Sequence, residues 1–312
     1  MADKIATRDA YGKALIKLGQ ENPNVVVLDA DLSKSTKTAG FAKEFPERFF
    51  QMGIAEADMT ATAAGLATCG KIPFLSTFAV FATGRNFDQV RNSIGYPHLN
   101  VKIAATHAGI TVGEDGGSHQ SIEDLALMRT IPGMTVIAPA DANDTEAAIF
   151  AAAAHDGPVY LRMGREPLPL IFPADHRFVI GKADRLRDGK DATIVANGVM
   201  LNIALAAAEN LAASGVNVRV VNVSTLKPLD QVEITAAARE TGAIVTAEEH
   251  SVIGGLGGAV AECIARNHPV PMEFIGVQDR FGQSGTPAVL MREYGLTAEA
   301  IETAVRKVIA RK

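Results

Sequence analysis

Short, largely apolar runs recur along this chain, each followed by a stretch of helical spacing, and that alternation limits what it can fold into. Val25-Val26-Val27-Leu28 follows Pro23, and similar runs lie at Val101 to Thr106, Thr135 to Ala138 and Pro158 to Arg162. A strand that is apolar at every position is covered on both faces, as strands of parallel sheets are. Arg8 to Gly19 carries Ala10, Ala14, Leu15 and Leu18 at helical spacing. Further helices are expected over Glu56 to Cys69, Asn86 to Ile94, Ser121 to Arg129 and Ala142 to Ala154, with strands at Phe49 to Met52 and Pro73 to Phe78. The expected fold class is α/β, a mostly parallel sheet flanked by helices.

The alternation lapses between Phe172 and Lys190, where Pro173, Gly181, Gly189 and many charges read as a linker with room for one edge hairpin. It resumes with strands at Ala192 to Ala196, Val216 to Val223, Ala243 to Ala247 and Pro271 to Val277. Helices separate these strands, and a last helix runs from Thr297, its expected N-cap, to Ile309. The expected division is a first domain over 1–172, a linker over 173–190 and a smaller α/β domain over 191–312. A length of 312 residues suits two domains.

Composition excludes some functions. At 47% hydrophobic and 21% charged, the chain is globular, and a net charge of −5 argues against nucleic acid or an anionic membrane as partner. No run approaches the ~18 apolar residues of a membrane span, and MADKIATRDAYG holds no apolar signal segment. The two cysteines, Cys69 and Cys263, lack CxxC spacing and read as core packing in a reduced, cytoplasmic protein.

In α/β sheets ligands gather at the carboxyl ends of the strands. Asp31, Gly53 to Glu56, Phe78, His107 and Arg162 to Arg165 all fall at such ends. Glu56 opens a helix of small residues within QMGIAEADMTATAAG, although a carboxylate in a first turn also has a plain helix-start explanation. The loop HAGITVGEDGGSHQ gathers His107, Glu114, Asp115 and His119 among glycines that let a ligand approach the backbone. Taken singly, either histidine could be a core residue and Asp115 a turn residue. Their irregular spacing matches no standard metal-ligand pattern, so no metal site is expected in this chain.

Together these motifs are more specific. Glu56 in GIAEADM, then STFAVF, then THAG with GEDGGSHQ, resemble the pyrimidine-binding half of transketolase, while EEHSVIGGLGG and FGQSG resemble its C-terminal domain. The likeness spans essentially the whole chain but only the second half of a full-length transketolase. The family's diphosphate-binding domain, with its GDG…N motif, has no counterpart here; the similar string Glu114 to Gly117 belongs to the other motif. The resemblance implies the C-terminal subunit of a split transketolase that uses thiamine diphosphate and Mg²⁺. The metal and diphosphate would be held mainly by an N-terminal partner subunit, in a heterotetramer with two copies of each chain. The implied activity moves a two-carbon glycolaldehyde unit from a ketose phosphate to an aldose acceptor. Pentose phosphates are the family default, and an unusual catabolic sugar is the other option.

The resemblance also implies roles. Glu56 would hydrogen-bond the aminopyrimidine ring and share a proton with it, and Phe78 and Phe81 would pack that ring. A third family aromatic has no match where Gly84 and Arg85 stand, and the local length differs by one residue. His107 would meet the phosphate end of the sugar, Asp115 a hydroxyl beside the reacting carbonyl, and His119 the region between cofactor amine and carbonyl. Arg8, Ser35 and Arg165 match positions that grip the sugar phosphate, with Arg162 as a substitute for Arg165. Asp31 matches an acid at the subunit interface near the cofactor. The Gly254 to Gly258 cluster reads as close helix packing, and His250 as support for a subunit contact. Three rivals stand beside this reading. They are a deoxyxylulose-phosphate synthase-like enzyme, the beta subunit of a 2-oxoacid dehydrogenase, and a non-catalytic scaffold.

Overall fold

The computed structural model describes residues 4–312. Its strands are β1 (Lys4–Ala6), β2 (Val25–Asp29), β3 (Phe49–Gln51), β4 (Ile72–Ser76), β5 (Lys102–Ala105), β6 (Thr135–Ile137) and β7 (Val159–Arg162). They continue with β8 (Pro167–Pro169), β9 (Asp184–Arg187), β10 (Ala192–Ala196), β11 (Val218–Asn222), β12 (Thr225–Lys227), β13 (Ile244–Ser251) and β14 (Met272–Val277). Seven of them form one sheet in the order β12-β6-β7-β5-β4-β2-β3, and five form a second in the order β14-β13-β10-β11-β9. Each sheet is parallel apart from one antiparallel edge strand, β12 in the first and β9 in the second.

Strand β2 shows how the apolar runs produce this layering. All five of its residues are buried. Val25 and Val27 face a core with Tyr11, Leu15, Phe74 and Ile149, while Val26 and Leu28 face another with Met59, Leu75 and Ile94. A strand buried on both faces gains nothing from polar alternation, so its sequence is a continuous apolar run. The second of these cores runs on into the other sheet, through Val195, Val221 and Ile244. The two sheets therefore share a hydrophobic layer.

Several elements lie where no sequence pattern marked them. β12, from the second half of the chain, pairs with β6 and completes the first sheet. Lys227 at its end donates to the carbonyls of Arg129 and Ile131, at 2.9 and 2.6 Å. β9 lies inside the stretch read as a linker and pairs with β11. β1 and β8 form a small ribbon with Ala6 opposite Pro167, which sets Arg8 and Arg165 at the same end of the first sheet. Ser33–Thr36, read as a loop, is a single helical turn. The helix expected from Asn86 is broken, with π turns at Phe81–Arg85 and Val90–Gly95 around a short helical piece. A π turn absorbs one extra residue.

Other expectations resolve at single residues. The Thr297 hydroxyl accepts from the Ala300 amide at 3.2 Å and caps the last helix. Cys263 is buried as expected, but Cys69 is exposed at the end of its helix and does not pack in the core. The 254–258 glycines do serve packing. A Cβ at Gly255 would lie 2.0 Å from a Glu248 carboxylate oxygen. That carboxylate accepts the Leu256 and Gly257 amides, capping the helix Leu256–Asn267. His250 is fully buried inside this chain, where Nδ1 donates to the Ser251 carbonyl and Nε2 accepts the Ala126 amide. Its side chain therefore makes no direct contact outside the chain. Among the described residues, no helix is long and apolar enough to cross a membrane.

Candidate active site

In the first sheet the chain steps from β2 to β3 on one side, then crosses to β4 on the other. Open α/β sheets bind ligands at such a reversal, and Glu56, Phe78 and His107 follow the ends of β3, β4 and β5. The helix Glu56–Thr68 begins here, with Glu56 as its first residue. The Glu56 side chain is only 2% exposed, and its carboxylate caps none of the helix amides. Both of its oxygens instead accept from Arg85 Nη1, each at 3.0 Å. The Arg85 guanidinium also lies over the Phe81 ring, 4.3 Å from its centroid. Arg85 thus stands where the sequence lacked an aromatic residue, and no sequence signal marked it for the site.

The aromatic residues form one cluster. Phe78 and Phe81 are near-parallel with centroids 6.1 Å apart, and the His107 ring stacks on Phe78 at 3.8 Å. His119 meets Phe78 and Phe81 edge-on at 6.3 and 5.5 Å, and Ser118 Oγ lies 3.0 Å from its Nδ1. These side chains put aromatic rings beside a buried carboxylate, with Arg85 between Phe81 and Glu56. A heteroaromatic ring that carries N–H groups suits that combination.

A cationic group adjoins the cluster. Arg8 Nη1 lies 2.9 Å from His107 Nε2 and 3.3 Å from the Ser35 carbonyl oxygen. Because arginine can only donate, His107 Nε2 must be unprotonated, and its Nδ1–H then donates to Thr106 Oγ1 at 2.9 Å. Burial, with the charges of Arg8, Arg165, Lys37 and His119 added, pushes His107 down to about 3, so the ring is neutral. Burial foremost, resisted by Asp9 and helped by Arg165, also holds Arg8 below its usual range. Arg8 Nε is buried with no partner. An unpaired buried donor flanked by a second arginine suits an anion.

Arg165 donates to the Val112 carbonyl at 2.8 Å and pairs with Asp115 at 3.5 Å. Arg162 does not share its setting. It is buried, bonded through Nε to Asp124 Oδ2 at 2.8 Å and through Nη2 to the Glu249 carbonyl at 2.8 Å. That excludes it as a substitute for Arg165 and makes it a brace between the two halves of the chain. Asp31 stands apart from the carboxylate and rings. It is exposed in a left-handed turn (φ 64°), and its amide donates to Gln51 Oε1 at 2.7 Å.

The second half of the chain supports this site from behind. Glu249, only 4% exposed, accepts the Thr111 amide at 2.7 Å. Its carboxyl lies against Gly109 (φ 81°), where an added Cβ would come within 2.3 Å of it. Gln120 donates to the Gln283 carbonyl at 2.9 Å, tying the other end of the loop to the FGQSG segment. Neither Glu249 nor Gln283 could be recognised from sequence, because both act across a packing interface. Among the described residues, no group of three or more His, Cys, Asp or Glu side chains is arranged to hold a metal ion.

Comparison with known proteins places this geometry. Residues 3–170 match the pyrimidine binding domain of transketolase, and residues 181–301 match the transketolase C-terminal domain. The chain belongs to the transketolase family. A Methanocaldococcus jannaschii protein provisionally assigned as a transketolase C-terminal section is 52% identical over 94% of this chain and 93% of its own length. A 6-deoxy-6-sulfo-D-fructose transketolase subunit from a Clostridium species is 46% identical over 98% and 95%. A solved structure described as a split gene transketolase, inactive β4 tetramer, is 57% identical, covers 99% of both chains and superposes with a TM-score of 0.91. This transketolase-family chain therefore shares its length as well as its fold with proteins named as parts of split transketolases.

Proposed function

We propose that the chain is the pyrimidine-binding subunit of a two-chain, thiamine-diphosphate-dependent transketolase. In this reading a separate diphosphate-binding subunit holds the diphosphate and Mg²⁺, in an assembly with two copies of each chain. The observation that carries the reading is the buried Glu56 carboxylate at a strand end, beside the Phe78–Phe81 pair. When bound, thiamine diphosphate supplies the carbon nucleophile that adds to a ketose carbonyl and carries a two-carbon unit to an aldehyde.

This chain's residues orient and protonate. Glu56 holds a proton against a ring nitrogen of the pyrimidine, in a site dry enough for that proton to be shared. Phe78 and Phe81 fix the ring plane. His107, neutral and held by Thr106 and Arg8, offers no charge of its own and serves to position Arg8. Arg8 and Arg165 receive a tetrahedral anion at the far end of the sugar. A phosphate and the sulfonate suggested by the name of the Clostridium relative both meet that requirement. Asp115 exchanges its contact with Arg165 for a substrate hydroxyl. His119, edge-on to both phenyl rings, lies beside the reacting carbonyl. Asp31 reaches the cofactor only across the subunit interface.

The test mixes the chain with its partner subunit, thiamine diphosphate, Mg²⁺, an aldose acceptor and, in parallel, a ketose phosphate, a ketose sulfonate or pyruvate. Two-carbon transfer from a ketose, dependent on both chains, is the expected result. Turnover by this chain without a partner would overturn the split-enzyme reading. Condensation of pyruvate with the aldose and loss of CO₂ would favour a synthase instead, and decarboxylation of pyruvate without condensation a dehydrogenase.

A further inference from the structure

We propose that Arg85 is a latch on the pyrimidine site. In the free chain its guanidinium occupies both the Glu56 carboxylate and the Phe81 face, and the cofactor ring must displace it from each. The inference rests on the function proposed above and adds a competitor for cofactor entry.

Glu56 and Phe81 are the groups a pyrimidine needs, one for its ring nitrogen and one for its plane. Arg85 now satisfies both, with Nη1 bonded to each Glu56 oxygen and its Cζ over Phe81. The two occupants exclude each other. Arg85 Nη1 already bonds both Glu56 oxygens and its guanidinium covers the Phe81 face, so a ring nitrogen that needs that carboxyl and a ring plane that needs that face must take its place. Arg85 must therefore leave before Glu56 can do its work.

The surroundings let it leave. The Arg85 side chain is 48% exposed, so water can receive the guanidinium. Gly84 before it is exposed and has no neighbour within 4 Å of a built Cβ. The π turn at Phe81–Arg85 adds slack to this segment. Arg162 is the contrast, being buried at 7% exposure and bonded to two groups. A half-exposed ion pair is screened by solvent. Its removal is expected to tighten cofactor binding by about three- to fivefold, not by orders of magnitude.

The experiment has two arms. Calorimetric titration of thiamine diphosphate into the Mg²⁺-loaded two-chain complex compares wild type with Arg85→Gln. The expected result is about three- to fivefold tighter binding in the variant. Equal or weaker binding would overturn the latch and make Arg85 a bystander or a cofactor-holding residue. The second arm uses the chain by itself, with urea unfolding of Arg85→Gln, Glu56→Gln and the double variant. Non-additive midpoints are expected, and strict additivity would show that the pair is absent and overturn the proposal. A wild-type complex that binds no thiamine diphosphate would strike the function itself. Wild-type binding with an unaltered Arg85→Gln affinity would strike the latch alone.

Discussion

Glu56 and His107 show two different uses of burial at the candidate site. Burial holds the Glu56 carboxyl in one place beside Arg85, and on the proposed function Glu56→Gln is expected to cut turnover by about a hundredfold or more while the fold persists. Steady-state kinetics of the reconstituted pair, with a thermal melt of the variant, would check this. Burial instead keeps His107 uncharged, and stability should record it. The unfolded imidazole takes a proton near its ordinary value of 6.5, whereas the folded one resists until about 3. The contribution is thus complete above about pH 6.5 and lost as pH falls toward 3, with a slope of at most about 1.4 kcal/mol per pH unit. His176 runs the other way. The Asp144 carboxylate, 3.2 Å from its Nε2, outweighs burial and raises it. Its contribution is complete below about pH 6.5 and lost as pH rises through the raised folded value. Urea midpoints from pH 5 to 8 for His107→Asn and His176→Asn should therefore flatten opposite limbs of the profile.

At the scale of elements, the 107–120 loop is held by its neighbours more than by itself. It has little regular structure beyond a 3₁₀ stretch kinked at Gly113. Its anchors are the Glu249 carboxylate at Thr111 and the Gln283 carbonyl at Gln120. Glu249→Ala should therefore speed hydrogen exchange at the Thr111 amide by about tenfold or more, the scale of one lost buried hydrogen bond. Glu249→Gln, which keeps an acceptor, should restore protection. Gly109→Ala, with a positive φ and a carboxylate in the way, should cost about 1–3 kcal/mol. It should depress turnover further than the unfolding midpoint implies, which parallel kinetics and denaturation would reveal. The β1–β8 ribbon acts similarly for Arg8 and Arg165, since it joins segments far apart in sequence.

At the scale of the molecule, the two halves are knitted together. β12 crosses from the second half into the first sheet, and Ser224 Oγ donates to the buried Asp144 at 2.6 Å. Asp124 of the first half, itself accepting from the Tyr160 hydroxyl, holds Arg162, which in turn donates to the Glu249 carbonyl of the second. Asp124→Ala removes the bonded counterion of the buried Arg162 and is expected to cost about 3–5 kcal/mol. Urea denaturation would measure that loss. It should also show one cooperative transition for the intact wild-type chain and not separate steps for each half.

The α/β class and most strand positions were legible in the residues, because continuous apolar runs and helical stripes are local patterns. Glu56, Phe78, Phe81, His107, Asp115 and His119 could be singled out as candidates, because each lies in a compact motif near a strand end. Arg85 was passed over because its pairing with Glu56 depends on a turn widened by one residue. β12, the β1–β8 ribbon, Glu249 and the commitment of Arg162 to Asp124 were hidden for a common reason. Each depends on which distant segment supplies the partner for an unpaired strand edge, amide or charge. A linear pattern records what a segment needs to bury or bond, and only the folded chain decides what meets that need.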